Sequence, residues 1–196
     1  MLPVTRYAEA SAPTDLGEMR YVVYRFGESA EDEHIAVVCG EVTGKEDVLC
    51  RVHSECLTGE VLHSLKCDCR QQLDTALAAI AEAGAGVLVY LRQEGRGIGL
   101  GNKIRAYALQ AEGKDTVDAN LALGFAADLR SYDMAAAILA DLGVASVALM
   151  TNNPGKVSGL VAAGIRVARQ VPHWVEASEH SSSYLAAKKA RMGHLS

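Results

Sequence analysis

QQLDTALAAIAEAGAGVLVYL, residues 71–91, is the stretch of sequence that decides the fold class. Residues 71–83 predict a helix, because their apolar side chains recur at helical spacing. The apolar face of this helix consists of Leu73, Leu77 and Ile80. Gly84 and Gly86 end the helix, and the short apolar run 87–91 is typical of a buried strand. A helix that leads directly into a buried strand predicts an α/β fold.

Further strands are predicted on both sides of this stretch. Before it, β-rich segments at 19–26, 34–39 and 47–53 favour an antiparallel or mixed sheet, behind an extended lead-in over residues 1–18. After it, strands are predicted at 145–150 and 165–169. Helices are predicted at 58–63 with Thr58 as N-cap, 104–111, 118–124, 133–142, from 154 to about 164, and 184–192. We therefore expect one α/β domain over residues 1–196, with a mixed sheet core, flanking helices and a more antiparallel N-terminal part.

Composition narrows the class of protein. With 196 residues, 49% of them hydrophobic, the chain is long enough to bury a sizeable core. A net charge of −5 argues against a general nucleic-acid binder, which would present a basic face. No apolar run approaches the roughly 20 residues of a membrane span, and the first residues lack the apolar segment of a signal peptide. Five cysteines, an odd number, fit a reduced cytoplasmic protein in which clustered cysteines favour metal binding or catalysis.

Three cysteines are close together in the sequence. Cys56 follows a predicted strand, and Cys67 and Cys69 stand two residues apart in a polar setting. Three thiolate ligands leave a fourth zinc position open for water, so we interpret this cluster as a catalytic zinc site. The alternative is that these cysteines are small buried hydrophobic residues, an interpretation that suits Cys39 and Cys50 better. His53 and His63 lie within the same stretch and are further candidate ligands.

A glycine-rich segment predicts a binding site for an anion. Glycines alternate from Gly95 to Gly101, after a buried strand and before a helix, where backbone N–H groups can hold phosphate. The spacing matches neither the dinucleotide fingerprint nor the P-loop. The basic residues that bracket the segment are Arg92, Arg96, Lys103 and Arg105, and arginine binds phosphate through two parallel hydrogen bonds. The alternative is a solvated surface loop.

Other residues are ambiguous on sequence grounds. Asp128 and Arg130 alone suggest a weak surface ion pair, and Tyr107 suggests a core tyrosine. Asn153 predicts an N-cap with Pro154 in the first helical turn, although the same position at the end of a strand also suits a ligand site. The isolated histidines are expected to be surface residues or to have satisfied side chains. They are His173, His180 and His194.

Several motifs together resemble GTP cyclohydrolase II, the first committed enzyme of riboflavin synthesis. They are RVHSECLTG (51–59), CDC (67–69), RQEGRGIGL (92–100), NKIRAYALQ (102–110), LGF (123–125), DLR (128–130) and LMTNNP (149–154). The resemblance extends from about residue 4 to residue 195. Because no dihydroxybutanone-phosphate synthase sequence precedes these motifs, we expect the stand-alone form of the enzyme.

The resemblance implies roles for individual residues. Zinc would be bound by Cys56, Cys67 and Cys69, one ion per chain, and Mg²⁺ would assist at the triphosphate. GTP would be held by Arg51, Val52, His53, Ser54, Glu55, Gln72, Glu94, Gly95, Arg96, Thr116, Thr151 and Lys156. Arg130 would be the nucleophile, Asp128 its proton acceptor, and Tyr107 would act near the ring-opening chemistry. GTP as substrate, a homodimer, a cytoplasmic location and no nucleic-acid or membrane partner are the corresponding expectations.

The implied reaction opens the imidazole ring of GTP at C8 and releases formate and pyrophosphate. The remaining product is 2,5-diamino-6-(5-phospho-ribosylamino)pyrimidin-4(3H)-one. One alternative is a specialised paralogue that stops at the formylated pyrimidine. Others are a zinc nucleobase deaminase, against which the missing Pro-Cys-x-x-Cys motif counts, and a non-catalytic GTP-binding zinc protein.

The sequence departs from the pattern of the family at a few positions. Arg70 stands where many members have glycine, and it is expected to change the charge beside Cys69. Ser131 stands where aspartate is common, and Gly155 where lysine is frequent. Residues 174–183 lack the usual Asn-Pro-Asn-rich loop, and Ala187 replaces a common threonine.

Overall fold

The computed structural model describes residues 3–29, 32–112, 116–126 and 128–175, without the side chains of residues 116, 117 and 120. The predicted helix 184–192, together with His180, Ala187 and His194, lies outside the described residues. The strands are β1 (Thr5–Thr14), β2 (Gly17–Arg25), β3 (Glu33–Cys39), β4 (Val48–Ser54), β5 (Gly86–Leu91), β6 (Val147–Met150) and β7 (Val167–Val171). They form one sheet in the order β1-β2-β3-β5-β4-β6-β7.

The first part of the sheet is antiparallel. β1 and β2 form a hairpin, with Thr5 opposite Arg25 and Thr14 opposite Gly17, and β3 pairs antiparallel with β2. The extended conformation predicted over residues 1–18 is confirmed for β1, but its pairing with β2 as a strand of the sheet was not predicted. Most side chains of β1 are exposed, so no alternation of apolar residues marks it as a strand. Its position at the sheet edge also tolerates Pro13, because an edge strand has unpaired backbone groups.

The second part of the sheet is parallel. β5 inserts between β3 and β4, antiparallel to β3 and parallel to β4. β6 and β7 continue the parallel arrangement. The prediction of a mixed sheet with a more antiparallel N-terminal part is confirmed, while pairing between β3 and β4 does not occur. The assignment of residues 1–196 to one domain stays a prediction.

Six helices connect or flank the described strands: α1 (Leu57–Glu60), α2 (Cys69–Glu82), α3 (Gly99–Ala111), α4 (Thr116–Ala122), α5 (Asp133–Asp141) and α6 (Pro154–Ala162). The predicted cap of α1 is wrong, because Cys56 and not Thr58 precedes its first turn. α3 begins at Gly99, before the predicted residue 104. The predicted cap of α6 is confirmed, since the Asn153 side chain accepts a hydrogen bond from the Gly155 N–H. No helix in the described ranges has the length and apolar character needed to cross a membrane.

The two faces of the sheet are covered by different helices. A large apolar cluster on one face joins Cys50 and Val52 of β4 with Ile138 of α5 and Leu160 of α6. A smaller cluster on the other face packs α2 against β5. Since side chains alternate along a strand, Arg51 and His53 of β4 point to the α2 face. These two polar side chains therefore lie on the face with the smaller apolar cluster.

His34 of β3 makes the fold sensitive to acid. Its buried ring accepts a hydrogen bond from the Arg92 N–H at Nδ1, 3.0 Å away. Burial, and then the charge of Arg92, lower the pKa of His34 to about 4, whereas Asp32 acts weakly in the opposite direction. In the unfolded chain His34 becomes protonated near pH 6.5, whereas in the folded chain it becomes protonated only near pH 4. Stability therefore falls as the pH drops through this window.

We expect His34→Asn to weaken this pH dependence, because the asparagine oxygen can still accept the Arg92 N–H but cannot titrate. Between pH 7 and pH 5 the melting temperature of the variant should fall less than that of the parent. The difference should be about 2–4 °C, as expected for about 1 kcal/mol in a domain of this size. Thermal melts at half-unit pH steps measure it, and parallel curves for the two proteins would contradict the assignment.

Candidate active site

The side chains singled out from the sequence gather at one edge of the sheet. The parallel strands β4, β5 and β6 end there, and the segments that follow them carry Glu55, Glu94 and Thr151. The carboxyl ends of parallel strands are where α/β proteins bind ligands. Helices α1, α2 and α3 surround this edge with the three cysteines and Tyr107.

The three candidate zinc ligands are close together in the structure. Cys56 precedes α1, Cys69 begins α2, and Cys67 lies in the loop between these helices. Their Sγ atoms all lie within 4.8 Å of one another, and those of Cys56 and Cys67 are 3.5 Å apart. Cys50 is instead buried in the apolar core, where burial raises the pKa of its thiol to about 12. Cys39 packs at the edge of the smaller cluster, as its interpretation as a hydrophobic residue predicts.

The cluster fits a metal ion. A Zn–S distance of about 2.3 Å in a tetrahedral site places ligand sulfurs about 3.8 Å apart, which is compatible with the observed spacing. Gly59 leaves room beside the sulfurs: a Cβ there would lie 2.7 Å from the Cys67 sulfur and 3.3 Å from that of Cys56. His53 and His63 are not members of the group, so three thiols form the candidate ligand set.

Gly59→Ala should weaken metal binding, since its methyl group would push against two of the three sulfurs. We expect the zinc affinity to fall by about 10–100-fold, the range seen when the surroundings of metal ligands are disturbed. Gly101→Ala in α3 is the matched control, because a Cβ at Gly101 meets nothing within 4 Å. The control should keep its zinc affinity and gain about 0.5–1 kcal/mol of helix stability. Zinc competition with a chromophoric chelator measures the zinc affinity of both variants. Equal affinities in Gly59→Ala and Gly101→Ala would contradict the argument that the methyl group crowds the sulfurs.

The carboxylate of Glu94 connects the glycine-rich segment to the cysteine cluster. One oxygen accepts the Leu57 N–H at 2.7 Å, and the other accepts the Gly95 N–H and Lys103 Nζ, each at 2.7 Å. Lys103 Nζ also donates to the Cys56 sulfur at 3.1 Å. Both oxygens of the Glu94 side chain are thus engaged by contacts within the protein.

Residues Glu94–Gly97 form a tight 3-10 turn whose backbone requires unusual angles. Gly95 and Gly97 have φ values of 62° and 90°, and Arg96 has 63°, a left-handed conformation that costs energy in a residue with a side chain. The Arg96 carbonyl accepts the Leu129 N–H, and a Cβ at Gly97 would lie 3.1 Å from the Leu129 side chain. The turn therefore packs against the segment that contains Asp128 and Arg130.

Asp128 and Arg130 form a close ion pair. Arg130 donates from Nε to one Asp128 oxygen at 2.9 Å and from Nη2 to the other, and its backbone N–H adds a third bond at 3.0 Å. Burial opposes ionisation of Asp128, but the hydrogen bonds and charge of Arg130, with a contribution from Arg96, outweigh it and lower the pKa of Asp128. The expected pair lies at the surface, where 31% of the Asp128 side chain and 13% of the Arg130 side chain are exposed.

Arg51 lies at the centre of a polar network under α2. Its guanidinium donates to the Met150 carbonyl at 2.9 Å and to Gln72 Oε1, and Gln72 donates in turn to Asp68. Arg51 is almost fully buried, and this burial lowers its pKa to about 10. Asp68, between two of the candidate zinc ligands, is thereby linked to two residues predicted to contact GTP.

His53 is held by a second network. Its Nε2 lies 2.7 Å from Glu60 Oε1, while Tyr90 stacks on the imidazole and donates to the other Glu60 oxygen at 2.6 Å. Burial lowers the pKa of His53, so the ring is neutral at pH 7. Because a carboxylate accepts hydrogen bonds, Nε2 carries the proton and Nδ1 is an acceptor.

The remaining predicted GTP contacts take several positions. Lys156 Nζ is buried and donates to the Val52 carbonyl at 2.7 Å, whereas the Val52 side chain lies in the core. Thr151 is buried, and its hydroxyl accepts the Asn153 N–H.

The predicted contacts at the end of β4 are Ser54 and Glu55. Ser54 accepts a hydrogen bond from Gln93. Burial raises the pKa of Glu55. Thr116 is the first residue of α4, and its side chain is not among those that the structure describes.

Tyr107 projects from α3 toward the cysteine cluster. Its hydroxyl lies 3.4 Å from that of Thr58, and the Lys66 ammonium lies 4.8 Å from its ring centre. Burial raises the pKa of Tyr107, so the phenol stays protonated at neutral pH. The expectation of a core tyrosine is wrong, because this side chain borders the candidate metal site.

Three buried polar atoms of the site have no hydrogen-bond partner in the described part of the chain. They are Arg51 Nε, His53 Nδ1 and Arg96 Nη1. Buried polar groups are nearly always paired, so such atoms call for an explanation, and a bound ligand is one. The site therefore presents two guanidinium donors and one imidazole acceptor for a partner outside the protein.

The sequence matches the model of one known protein family. The model of the family described as GTP cyclohydrolase II matches residues 5–172, which include the cysteine cluster, the Glu94–Gly97 turn and the Asp128–Arg130 pair. The chain belongs to the GTP cyclohydrolase II family. It is therefore an enzyme of this kind, a hydrolase, and the resemblance inferred from the motifs is confirmed.

Individual relatives support membership of the GTP cyclohydrolase II family. GTP cyclohydrolase-2 of Histophilus somni (strain 2336) is 52% identical over 194 residues, which cover 99% of this chain and 89% of that protein. Riboflavin biosynthesis protein RibBA of Bacillus velezensis is 54% identical over 193 residues, 98% of this chain and 48% of that protein. The structure of RibBX, a two-domain 3,4-dihydroxy-2-butanone 4-phosphate synthase from A. baumannii, has a TM-score of 0.47 and 20% identity, over 88% of this chain and 40% of that one.

Three of the departures from the GTP cyclohydrolase II pattern, at Arg70, Ser131 and Gly155, have defined contacts in the structure. Arg70 donates to the Glu60 carbonyl at 3.1 Å and to His63, and its side chain is 46% exposed. It therefore ties down the loop between the zinc-ligand candidates. Ser131 contacts Asp133 at the start of α5. Gly155 supplies the N–H that Asn153 caps.

Some residues of this GTP cyclohydrolase II site are not evident from the sequence. The sequence marks Lys103 only as one of four basic residues near the glycines, whereas in the structure its ammonium contacts the Cys56 sulfur. Glu60 and Asp68 are acidic residues with no motif of their own, and only packing shows their partners. His173, expected to be satisfied or at the surface, is buried and hydrogen-bonded to the Gln72 carbonyl at 2.9 Å.

Proposed function

We propose that this enzyme hydrolyses GTP, opening the imidazole ring at C8 and releasing formate and pyrophosphate. The product would be 2,5-diamino-6-(5-phospho-ribosylamino)pyrimidin-4(3H)-one, the first committed intermediate of riboflavin synthesis. One observation carries the proposal: the Glu94–Gly97 turn touches the cysteine cluster through Glu94 and the Asp128 segment through Arg96 and Gly97. A single nucleotide bound along this turn would meet metal chemistry at one end and phosphate chemistry at the other.

At the base end, Cys56, Cys67 and Cys69 would hold the zinc ion. Bound zinc supplies a nucleophile at neutral pH by lowering the pKa of water toward about 7. The Tyr107 phenol, which is protonated at this pH, would hold or deliver a proton next to the opening ring. Arg51 and His53 would orient the base with the Nε donor and Nδ1 acceptor that lack partners in the described protein.

At the phosphate end, Arg130 or a water molecule would attack the α-phosphorus, and pyrophosphate would leave. If Arg130 attacks, water would then cleave the new phosphorus–nitrogen bond and restore the free guanidinium. Arginine is a poor nucleophile because it stays protonated, so it needs a base beside it. Asp128 is ionised and bound to two guanidinium nitrogens, which suits it to accept the proton. Arg96, with one free buried nitrogen, and Lys156 would offset the negative charge of the phosphates, with Mg²⁺ on the triphosphate.

The remaining GTP contacts would come from residues at the carboxyl ends of the parallel strands. Gln72 contacts Arg51, Thr151 follows β6, and Ser54 ends β4 with Glu55 next to it. Val52 and Glu94 would contribute backbone or indirect contacts, and Gly95 and Thr116 would complete the set. We further propose a homodimer that works in the cytoplasm, in line with the biosynthetic enzymes to which the chain is similar.

Mass analysis of the products tests the function. Zinc-loaded protein is incubated with GTP and Mg²⁺, and formate, pyrophosphate and the pyrimidine are quantified. Equal amounts of formate and pyrophosphate per GTP support the proposal. Consumption of GTP without formate would favour a paralogue that stops at the formylated pyrimidine. Ammonia would indicate a deaminase, and binding without turnover a non-catalytic GTP-binding zinc protein.

A further inference from the structure

We infer that Lys103 is a positioning residue of the metal site, which holds the Cys56 sulfur and fixes it to the glycine-rich turn. The inference rests on the proposed zinc site. It begins from one contact: Lys103 Nζ donates to the Cys56 Sγ at 3.1 Å. Among the described residues, no other basic side chain donates to a sulfur of the cluster.

The position of the Lys103 ammonium is fixed by a second contact. Nζ donates to Glu94 Oε1 at 2.7 Å, and the other Glu94 oxygen accepts the Leu57 N–H, next in sequence to Cys56. Lys103, Glu94, Leu57 and Cys56 therefore form a closed ring of contacts. Glu94 also supplies the first N–H of α1 with the partner that the Cys56 side chain does not provide. Movement of Lys103 would loosen both the ligand and the helix that follows it.

The neighbouring glycine gives Lys103 its path to the sulfur. A Cβ at Gly95 would lie 3.1 Å from the Lys103 Cβ. The side chain of Lys103 is only 12% exposed, so little water screens its charge. Because Gly95 has no side chain, the Lys103 side chain can pass beside the turn and reach the Cys56 sulfur.

The positive charge of Lys103 would offset the negative charge of the metal site. Three thiolates around a zinc ion carry a net charge of −1, which is costly to bury without a compensating cation. A hydrogen bond from an ammonium also withdraws electron density from the sulfur and fixes its orientation, as outer partners of metal ligands do. Lys103 would thus strengthen zinc binding and keep the metal in register with the turn that carries Arg96.

A lysine substitution in the same surroundings provides the control. Lys66 is exposed, and its ammonium lies over the ring of Tyr107 at 4.8 Å from the centre. Lys103 Nζ lies 5.9 Å from the same ring, so the two lysines share a neighbour. Lys66→Met removes a nearby positive charge, whereas Lys103→Met removes the charge together with the hydrogen bond to sulfur.

The test measures zinc affinity and the spectrum of the cobalt-substituted protein. Lys103→Met should bind zinc about 10–100-fold more weakly. Its sulfur-to-cobalt charge-transfer band should move to lower energy, because a sulfur without the hydrogen bond gives up electrons more easily. Lys66→Met should change the zinc affinity by less than about fivefold and leave the band in place. A merely structural role of Lys103 would not move the band.

Several results would overturn the inference. They are an unchanged affinity and band in Lys103→Met, or equal changes in Lys66→Met. If Lys103→Met does not fold, as judged by circular dichroism, Lys103→Gln takes its place under the same criteria. Failure of the proposed zinc site is separate: the parent would then bind no zinc, or Cys56→Ser would bind it equally well, and the inference would fall with it.

Discussion

Cys56→Ser should abolish ring opening while the protein stays folded. Serine keeps the shape of the side chain but replaces a thiolate ligand by a hydroxyl, which binds zinc poorly. Loss of an outer partner of a ligand costs about 10–100-fold, so loss of the ligand itself should lower formate release by more than about 100-fold. The main core packs α5 and α6 on the opposite face of the sheet, and it does not include the cluster. Formate release and bound zinc, measured on the same sample, test this expectation.

The matched control is Cys39→Ser, the same chemical change on β3. Cys39 is half-buried and lies outside the group of three sulfurs. This variant should retain its zinc content and its formate release. Normal formate release from Cys56→Ser would exclude the metal assignment. Unfolding of Cys56→Ser, seen by circular dichroism, would instead support a structural zinc module.

Arg130→Ala should stop turnover at the phosphate step. The alanine variant loses the proposed nucleophile and the two guanidinium hydrogen bonds to the Asp128 carboxylate. Removal of a catalytic nucleophile typically costs at least about 10³-fold, so pyrophosphate release should fall by that factor or more. A chromogenic pyrophosphate assay and formate detection, run in parallel, show whether the two chemical steps fall together.

Two further variants separate the nucleophile from its charge. Arg130→Lys keeps a positive charge but cannot bind both Asp128 oxygens side-on, because an ammonium is a point donor. It should be nearly as inactive as Arg130→Ala. Arg166→Ala is the control, since Arg166 is exposed and paired with Glu46 far from the carboxyl ends of the strands. Pyrophosphate release at the normal rate in Arg130→Ala would exclude Arg130 as the nucleophile.

Local patterns in the sequence predicted most helices and strands of this enzyme. The apolar face of α2 and the apolar run of β5 are periodic signals, and such signals survive in any compact structure. The three cysteines could also be predicted from the sequence as candidate metal ligands, because clustered cysteines in a polar setting favour metal binding or catalysis. The motifs around these features were specific enough to identify the family.

The pairing of strands that are distant in the sequence could not be predicted from such local patterns. β1 has exposed side chains on both faces, so its strand conformation comes from backbone hydrogen bonds to β2 and not from an apolar pattern. β5 lies between β3 and β4, although both precede it in sequence. Hydrogen bonds between strands join residues that are distant in the chain, and local propensity carries no information on their order.

The sequence by itself determined the fold class, the three thiols and the family. Only the tertiary structure decided how the parts of the site are joined: Glu94 to Leu57, Lys103 to Cys56, and the Glu94–Gly97 turn to the Asp128 segment. It also showed that Arg130 holds both carboxylate oxygens of Asp128. The reason is physical, because composition fixes which donors and acceptors exist, whereas packing fixes which of them meet away from water.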